Sequence, residues 1–319
     1  LGLSAGSGLT LDASTAYANP DNHVTVLSTD PDFSTKYASG INATNETHSV
    51  KDNVVTIGRK STVDTPAING DVVGGYKNAY AVTHNTVTVD DMTLAIAKSV
   101  FGGLADGDKA ADDNEVTING GTYAGSNAVY GGKSDTGTAT NNTVTIVGGT
   151  FSTADVAGGA ASTGTTSNHN RVVLGSDHGV YTADLSQTDL WGTRYSGDAV
   201  VASGNAAITG NTLTVNAQNV TVNKVRNFEN YDFHLTNGVA ADTAAPMLTV
   251  NATDGFGTGA NVQWDNIQLD ANGWNGYTTD PDNTTTHNGK VGTVRLLKSR
   301  DGNRNFTIFS SSPMVRNRV

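Results

Sequence analysis

The chain of 319 residues has no cysteine, only six prolines and only three glutamates, Glu46, Glu115 and Glu229. Without cysteine there is no disulfide framework, no thiolate zinc site and no cysteine nucleophile. Strong helix formers are scarce, whereas Thr, Asn and Gly dominate, which argues against a helical bundle or a doubly wound α/β enzyme. Basic residues are few as well: 19 Lys and Arg stand against 30 Asp and Glu, a formal net charge of −11. With no basic stripe to neutralise phosphates, nucleic acid is not an expected partner. No apolar run approaches the roughly 18 residues of a spanning helix, so no membrane-spanning segment is expected. Leu1 to Thr10 lacks the basic and apolar regions of a signal peptide. The chain is still not of the disordered class, because 36% of its residues are hydrophobic and only 15% are charged.

What is present is a repeat. A unit of Asn, any residue, an apolar residue, usually Thr, and a second apolar residue begins at Asn22, Asn53, Asn85, Asn114, Asn142, Asn170 and Asn211. The spacings are 31, 32, 29, 28, 28 and 41 residues. The first apolar positions are Val24, Val55, Val87, Val116, Val144, Val172 and Leu213; the second are Val26, Ile57, Val89, Ile118, Ile146, Leu174 and Val215. Period-two alternation of β-branched residues predicts a strand with one buried face. A second unit follows: Val72-Val73-Gly74-Gly75, Val100-Phe101-Gly102-Gly103, Val129-Tyr130-Gly131-Gly132 and Val156-Ala157-Gly158-Gly159. Weaker copies are Tyr37-Ala38-Ser39-Gly40 and Val201-Ala202-Ser203-Gly204. A third apolar point falls nine residues after the repeat Asn, at Leu94, Tyr123 and Phe151.

Three short strands per period predict an all-β fold, a right-handed parallel β-helix with three-strand coils of about 28–32 residues. A propeller blade needs about 40 residues and antiparallel hairpins, and the Gly-Gly-x-Gly-x-Asp runs of a calcium-binding solenoid are missing. Stacking places the repeat Asn side chains in line, where their amides can form a hydrogen-bonded ladder. Val and Ile then line the interior and Thr the exterior, with the Gly pairs at corners. The repeat organises residues 1–216. Residues 217–319 have a different texture and are expected to form a C-terminal β cap, because an open edge strand invites aggregation.

The tandem Asn-x-Val-Thr-Ile-x-Gly-Gly-Thr-Tyr/Phe units with Val-Tyr-Gly-Gly, from Asn114 to Phe151, resemble the passenger domains of bacterial type V autotransporters. The run Val225-Arg226-Asn227-Phe228-Glu229-Asn230-Tyr231-Asp232-Phe233, followed by Met247-Leu248-Thr249-Val250, resembles the segment near the C-terminal end of those passengers. The resemblance implies export across a Gram-negative outer membrane and display at the bacterial surface, usually as a non-enzymatic adhesin. The expected partners are a host or bacterial surface protein or glycan, or copies of the chain itself. Absence of cysteine fits, since periplasmic disulfides would obstruct threading through a narrow barrel. The chain departs from the full architecture in carrying no set of amphipathic strands with aromatic girdles, the mark of a translocator barrel.

Two other classes remain open, a filament-forming surface protein and a carbohydrate-active β-helix enzyme. The acid pairs Asp90-Asp91 and Asp112-Asp113 lack a supporting basic cluster and read as solvated turn residues, so no catalytic residue is assigned. Calcium is the one candidate cofactor. Asp106, Asp108, Asp112 and Asp113 form an oxygen-rich stretch, although without the full twelve-residue ligand spacing. The longest period, from Asn170 to Asn211, is expected to hold a flanking loop. It carries the candidate binding residues Tyr181, Trp191, Arg194 and Tyr195, since binding energy concentrates in aromatic and Arg side chains. Trp264 and Trp274 mark a second aromatic region further on.

Overall fold

The structure is a computed structural model describing residues 23–27, 39–42, 50–58, 67–68, 71–77, 81–90, 95–96, 98–124, 127–152, 154–177, 180–201, 204–236, 238–240, 242–256, 267–270, 294–300 and 308–310. Asn22, Leu94, Asp91, Trp264 and Trp274 lie outside these. Alternating β-branched segments stack coil on coil into a parallel β-helix. Its first sheet has ten strands in chain order: His23–Leu27, Val54–Gly58, Thr86–Val89, Glu115–Ile118, Thr143–Ile146, Arg171–Leu174, Thr212–Val215, Asn230–His234, Ile267–Asp270 and Ile308–Ser310. The second has nine: Ser39–Asn42, Val72–Lys77, Val100–Ala105, Ala128–Ser134, Asp155–Ala161, Leu185–Tyr195, Val220–Arg226, Leu248–Val250 and Leu297–Ser299. Within both sheets the neighbours pair in parallel.

A third face is the four-stranded sheet of Ala67–Ile68, Ala95–Ile96, Thr122–Ala124 and Thr150–Ser152. The expected three strands per coil are joined by a fourth. The two-residue segments Val50–Lys51, Val82–Thr83 and Ala111–Asp112 form their own parallel sheet just before the repeat Asn. Two residues are too few to show a period in the sequence.

The first sheet turns one face inward. Val55, Val87, Val116, Val144, Val172 and Leu213 are buried, as are Val89, Ile118, Ile146, Leu174 and Val215. Each fully buried aliphatic contributes roughly 1.5–3 kcal/mol. On the third face Tyr123 stacks on Phe151, with ring centroids 4.5 Å apart and planes 11° from parallel. The residue beneath Tyr123 is Ile96 and not the expected Leu94, because that coil reaches its third face two residues later.

The sheets do not stop where the repeat does. Asn230–His234 pairs with Thr212–Val215, and Val220–Arg226 with Leu185–Tyr195. The segment expected to close the rod therefore adds rungs to it, through Ile308–Ser310 in the first sheet. Position 216/217 marks a change of side chains within continuous sheets. Tyr231 and Phe233 take the interior places held by Val and Ile before.

Candidate functional site

The Asn ladder forms. Asn53, Asn85, Asn114, Asn142, Asn170 and Asn211 are all at most 3% exposed. Each amide nitrogen from Asn53 to Asn142 donates to the Oδ1 of the Asn one coil later, at 2.6, 2.9, 3.1 and 3.2 Å in turn. The backbone N–H groups of the same residues donate to the same oxygens, and Asn170 N–H donates to Asn211 Oδ1 at 2.8 Å. The residue before each ladder Asn has left-handed backbone: Asp52, His84, Asp113, Asn141, His169 and Gly210, with φ between 53° and 73°. This corner turns the chain into the first sheet, and Asn, Asp, His and Gly are the residues that tolerate it best.

The Gly pairs lie inside strands of the second sheet, not at corners. A Cβ on Gly132 would sit 2.3 Å from the Ala111 carbonyl and 2.4 Å from Asn142 Oδ1; one on Gly103 would sit 2.5 Å from Asn114 Nδ2. The glycines thus make room for the ladder. In the Asn170 coil the second Gly is replaced by Thr193, opposite Gly159. Its Oγ1 accepts from Asn170 Nδ2 (3.2 Å) and Asn211 Nδ2 (3.0 Å), so the hydroxyl joins the ladder there.

The four candidate binding residues do not form a flanking loop. Trp191, Arg194 and Tyr195 belong to the strand Leu185–Tyr195, where Trp191 pairs with Ala157, Arg194 with Ala160 and Tyr195 with Ala161. The long period arises from two insertions, one on each side of this strand. Leu174 to Trp191 spans 17 residues where Ile146 to Ala157 spans 11, and Trp191 to Asn211 spans 20 where Ala157 to Asn170 spans 13. The true copy of the Gly-pair motif is therefore Leu190-Trp191-Gly192-Thr193; Val201 and Gly204 fall in the second insertion. The first weak copy is also displaced by one, with Ser39 opposite Val73.

Trp191 is 3% exposed and Tyr195 2%. The Tyr195 hydroxyl lies 3.1 Å from both the Thr165 and Ala207 carbonyls. Tyr181 packs against the core, and its buried hydroxyl has no hydrogen-bond partner among the described residues. Of the four, Arg194 bears the chemistry. Its Nη1 donates to Tyr130 Oη at 2.7 Å, its Nη2 lies 3.1 Å from Asp155 and 2.8 Å from Asp198, and its Nε donates to Asp198 at 3.0 Å. One guanidinium thereby ties three successive coils on the outer face of the second sheet. Burial raises the Asp155 carboxyl above the ordinary carboxylate range. Arg194 opposes that shift, and Asp189 and Asp198 add to it. Burial likewise pushes the Tyr130 phenol up to about 12. The Trp191 indole N–H also opposes the Asp155 shift, although it completes no hydrogen bond of ordinary geometry among the described residues.

Tyr130, Asp155 and Asp198 were not read from the sequence as partners of Arg194. The signal available was the alternation of the Gly-pair motif. Val100, Val129 and Val156 point inward, so Phe101, Tyr130 and Ala157 must share the outer face with Trp191. Phe101 meets Tyr130 edge-on at 5.8 Å and lies under the Lys133 ammonium at 5.9 Å. This cluster is buried and filled by its own side chains, which makes it a brace.

The acidic stretch is also dispersed. Asp106 accepts from the Tyr76 hydroxyl, Asp108 pairs with Lys109 at 2.8 Å, and Asp113 lies 3.9 Å from His84. Asp112 accepts from the Thr138 hydroxyl (2.9 Å) and from Thr140 N–H (2.7 Å). Lys109 holds the Asp108 carboxyl below its ordinary value. Among the described residues no group of three or more His, Asp or Glu side chains is placed to hold a metal ion. Asp90 accepts from Asn119 Nδ2 at 2.7 Å, one coil on. No family model, curated protein or solved structure matches the chain.

Proposed function

We propose that the chain is a non-enzymatic scaffold of the bacterial cell surface or its surroundings, the passenger of an export system, holding to host or bacterial surfaces by its flanks. The observation that supports this reading best is the parallel stack itself, ten strands in one sheet and nine in the next, built without cysteine. In such a stack each coil buries its neighbour. A chain that crosses an envelope unfolded can thus add coils as it emerges and needs no crosslink. Of the acids found together on the outer face, Asp155 and Asp198 are engaged by Arg194 and Asp189 accepts from Asn223 Nδ2 at 2.7 Å, which suits bracing better than proton transfer.

Protease shaving of intact source cells tests the reading. Peptides from residues 98–236 are expected in the supernatant while cytosolic marker proteins stay inside. The purified chain is expected to bind such surfaces and to release no reducing sugar from polysaccharides. Recovery of the chain only from the cytosolic fraction overturns the proposal.

A further inference from the structure

In the first sheet Val116, Ile118, Val144 and Ile146 belong to the core, so the residues between them face outward. Along the stack one outward column reads Thr86, Glu115, Thr143, Arg171, Thr212. The next reads Thr88, Thr117, Thr145 and Val173, and ends at Thr214, which is fully buried. The first column has a pattern about Thr143: an acid one coil before, a base one coil after, and threonine two coils away on either side. Glu115 is exposed and enters no ion pair among the described residues. The Thr143 strand is also near the middle of the sheet, with four strands before it and five after.

We propose that this face is an interface between two copies of the chain, related by a two-fold axis along the Thr143–Ile146 strand, with the two rods antiparallel. Such an axis preserves position within a strand and reverses the order of coils. Thr143 meets Thr143 and Thr145 meets Thr145. Glu115 of each copy meets Arg171 of the other, and Thr86 meets Thr212. A symmetric contact demands this reciprocity, residue i on j and j on i. The charges also select the axis. An axis along the Glu115 strand sets Glu115 on itself, and one along the Arg171 strand sets Arg171 on itself; both juxtapose like charges.

The flat, short-chained surface lets two sheets approach closely. Ten strands about 4.8 Å apart, each four residues of about 3.3 Å, give a face of about 600 Å². Two such faces bury about 1,200 Å² in total, the lower end for a specific interface, so the association is concentration-dependent. In the single chain Arg171 Nε donates to Thr214 Oγ1 at 2.9 Å, which lays the side chain along the face. The contact does not depend on export, and its test is independent of localisation.

The cysteine-free chain makes the test direct. In the full chain Thr143→Cys, under mild oxidation, is expected to give a disulfide-linked dimer rapidly, whereas Thr117→Cys, which faces Val173, is not. Sedimentation velocity across a concentration series is expected to show a monomer–dimer equilibrium for the wild type. Glu115→Arg, at an exposed site that leaves the melting temperature unchanged, weakens it by about tenfold or more. Adding Arg171→Glu to that variant restores it. The proposal is overturned by a wild type that stays monomeric throughout, by a Glu115→Arg variant that associates like wild type, or by equal crosslinking at positions 117 and 143.

Discussion

Two adjacent asparagines show how differently one residue type is used. Asn142 is fully buried: its Oδ1 accepts from Asn114 N–H and Nδ2, and its Nδ2 donates to the Ala111 carbonyl (2.8 Å) and to Asn170 Oδ1. Asn142→Ala strands Asn114 donors and the Ala111 acceptor inside the rod, a cost of about 3 kcal/mol or more. Asn141 is exposed and sits at φ 56°. Asn141→Ala costs about 1 kcal/mol through the left-handed backbone alone. Thermal melts should separate the two, and equal shifts would contradict a stabilising role for the ladder. The same contrast holds for glycine. Gly132→Ala drives a methyl into the Ala111 carbonyl and Asn142, and should prevent folding. Gly107→Ala has open space and suffers only its positive φ of 66°, about 1 kcal/mol.

Asp232 makes a pH-dependent prediction. Burial raises its carboxyl above the ordinary range, more than Arg171 and His234 lower it. A carboxyl with a raised folded value contributes its stability in full below the unfolded value, near 4, and loses it as pH rises through the folded value. Asp232→Asn should therefore gain on wild type between pH 3 and pH 7. A gap in melting temperature between variant and wild type that stays constant over that range would contradict the assignment.

At the scale of the element, strands with period-two alternation over at least four residues were legible in the repeat, because each inward residue has a like residue 28 to 41 positions away. The Asn column was legible for the same reason. Three things were hidden. Two-residue strands such as Val82–Thr83 carry no period. The rung Leu185–Tyr195 has Leu190 and Thr193 where its predecessor has Val156 and Gly159, so motif matching slid to Val201. The brace around Arg194 joins residues 64 positions apart, Tyr130 and Arg194, which only the register brings together.

The registers also say which part of the long period is dispensable. Removing 185–195 deletes a rung between Asp155–Ala161 and Val220–Arg226 and should abolish cooperative unfolding. The second insertion begins beyond Asp198, the Arg194 partner. Its Val201 N–H donates to Asn227 Oδ1 at 2.8 Å and its Ile208 is buried. Replacing only 202–205 with two glycines should lower the melting temperature by a few degrees at most, since each doubling of loop length changes closure by only about 0.6 kcal/mol.

For the whole molecule the question is what holds the last coils once the ladder ends. Asn211 Nδ2 donates to the Asn227 carbonyl, and in the following coil Glu229 stands at the ladder position, its carboxylate accepting from Gly210 N–H at 2.6 Å. Amide pairing gives way to packing of large side chains. Phe228, Tyr231, Phe233, Met247 and Phe256 are at most 4% exposed, and Tyr231 meets Phe256 edge-on at 5.9 Å. These residues stay dry only because Leu248–Val250 and Ile267–Asp270 pair with the strands before them. A chain ending at residue 236 loses both pairings. It exposes the edges of Val220–Arg226 and Asn230–His234 together with an aromatic cluster, each member of which is worth roughly 1.5–3 kcal/mol when buried. An unpaired apolar edge of this kind recruits other chains. The 1–236 fragment should therefore aggregate, or melt well below the full chain, in size-exclusion and calorimetric comparison at equal concentration. A soluble fragment with an unchanged, cooperative melt would mean that the rungs after 236 are an appendage and that the aromatic coil closes the rod unaided.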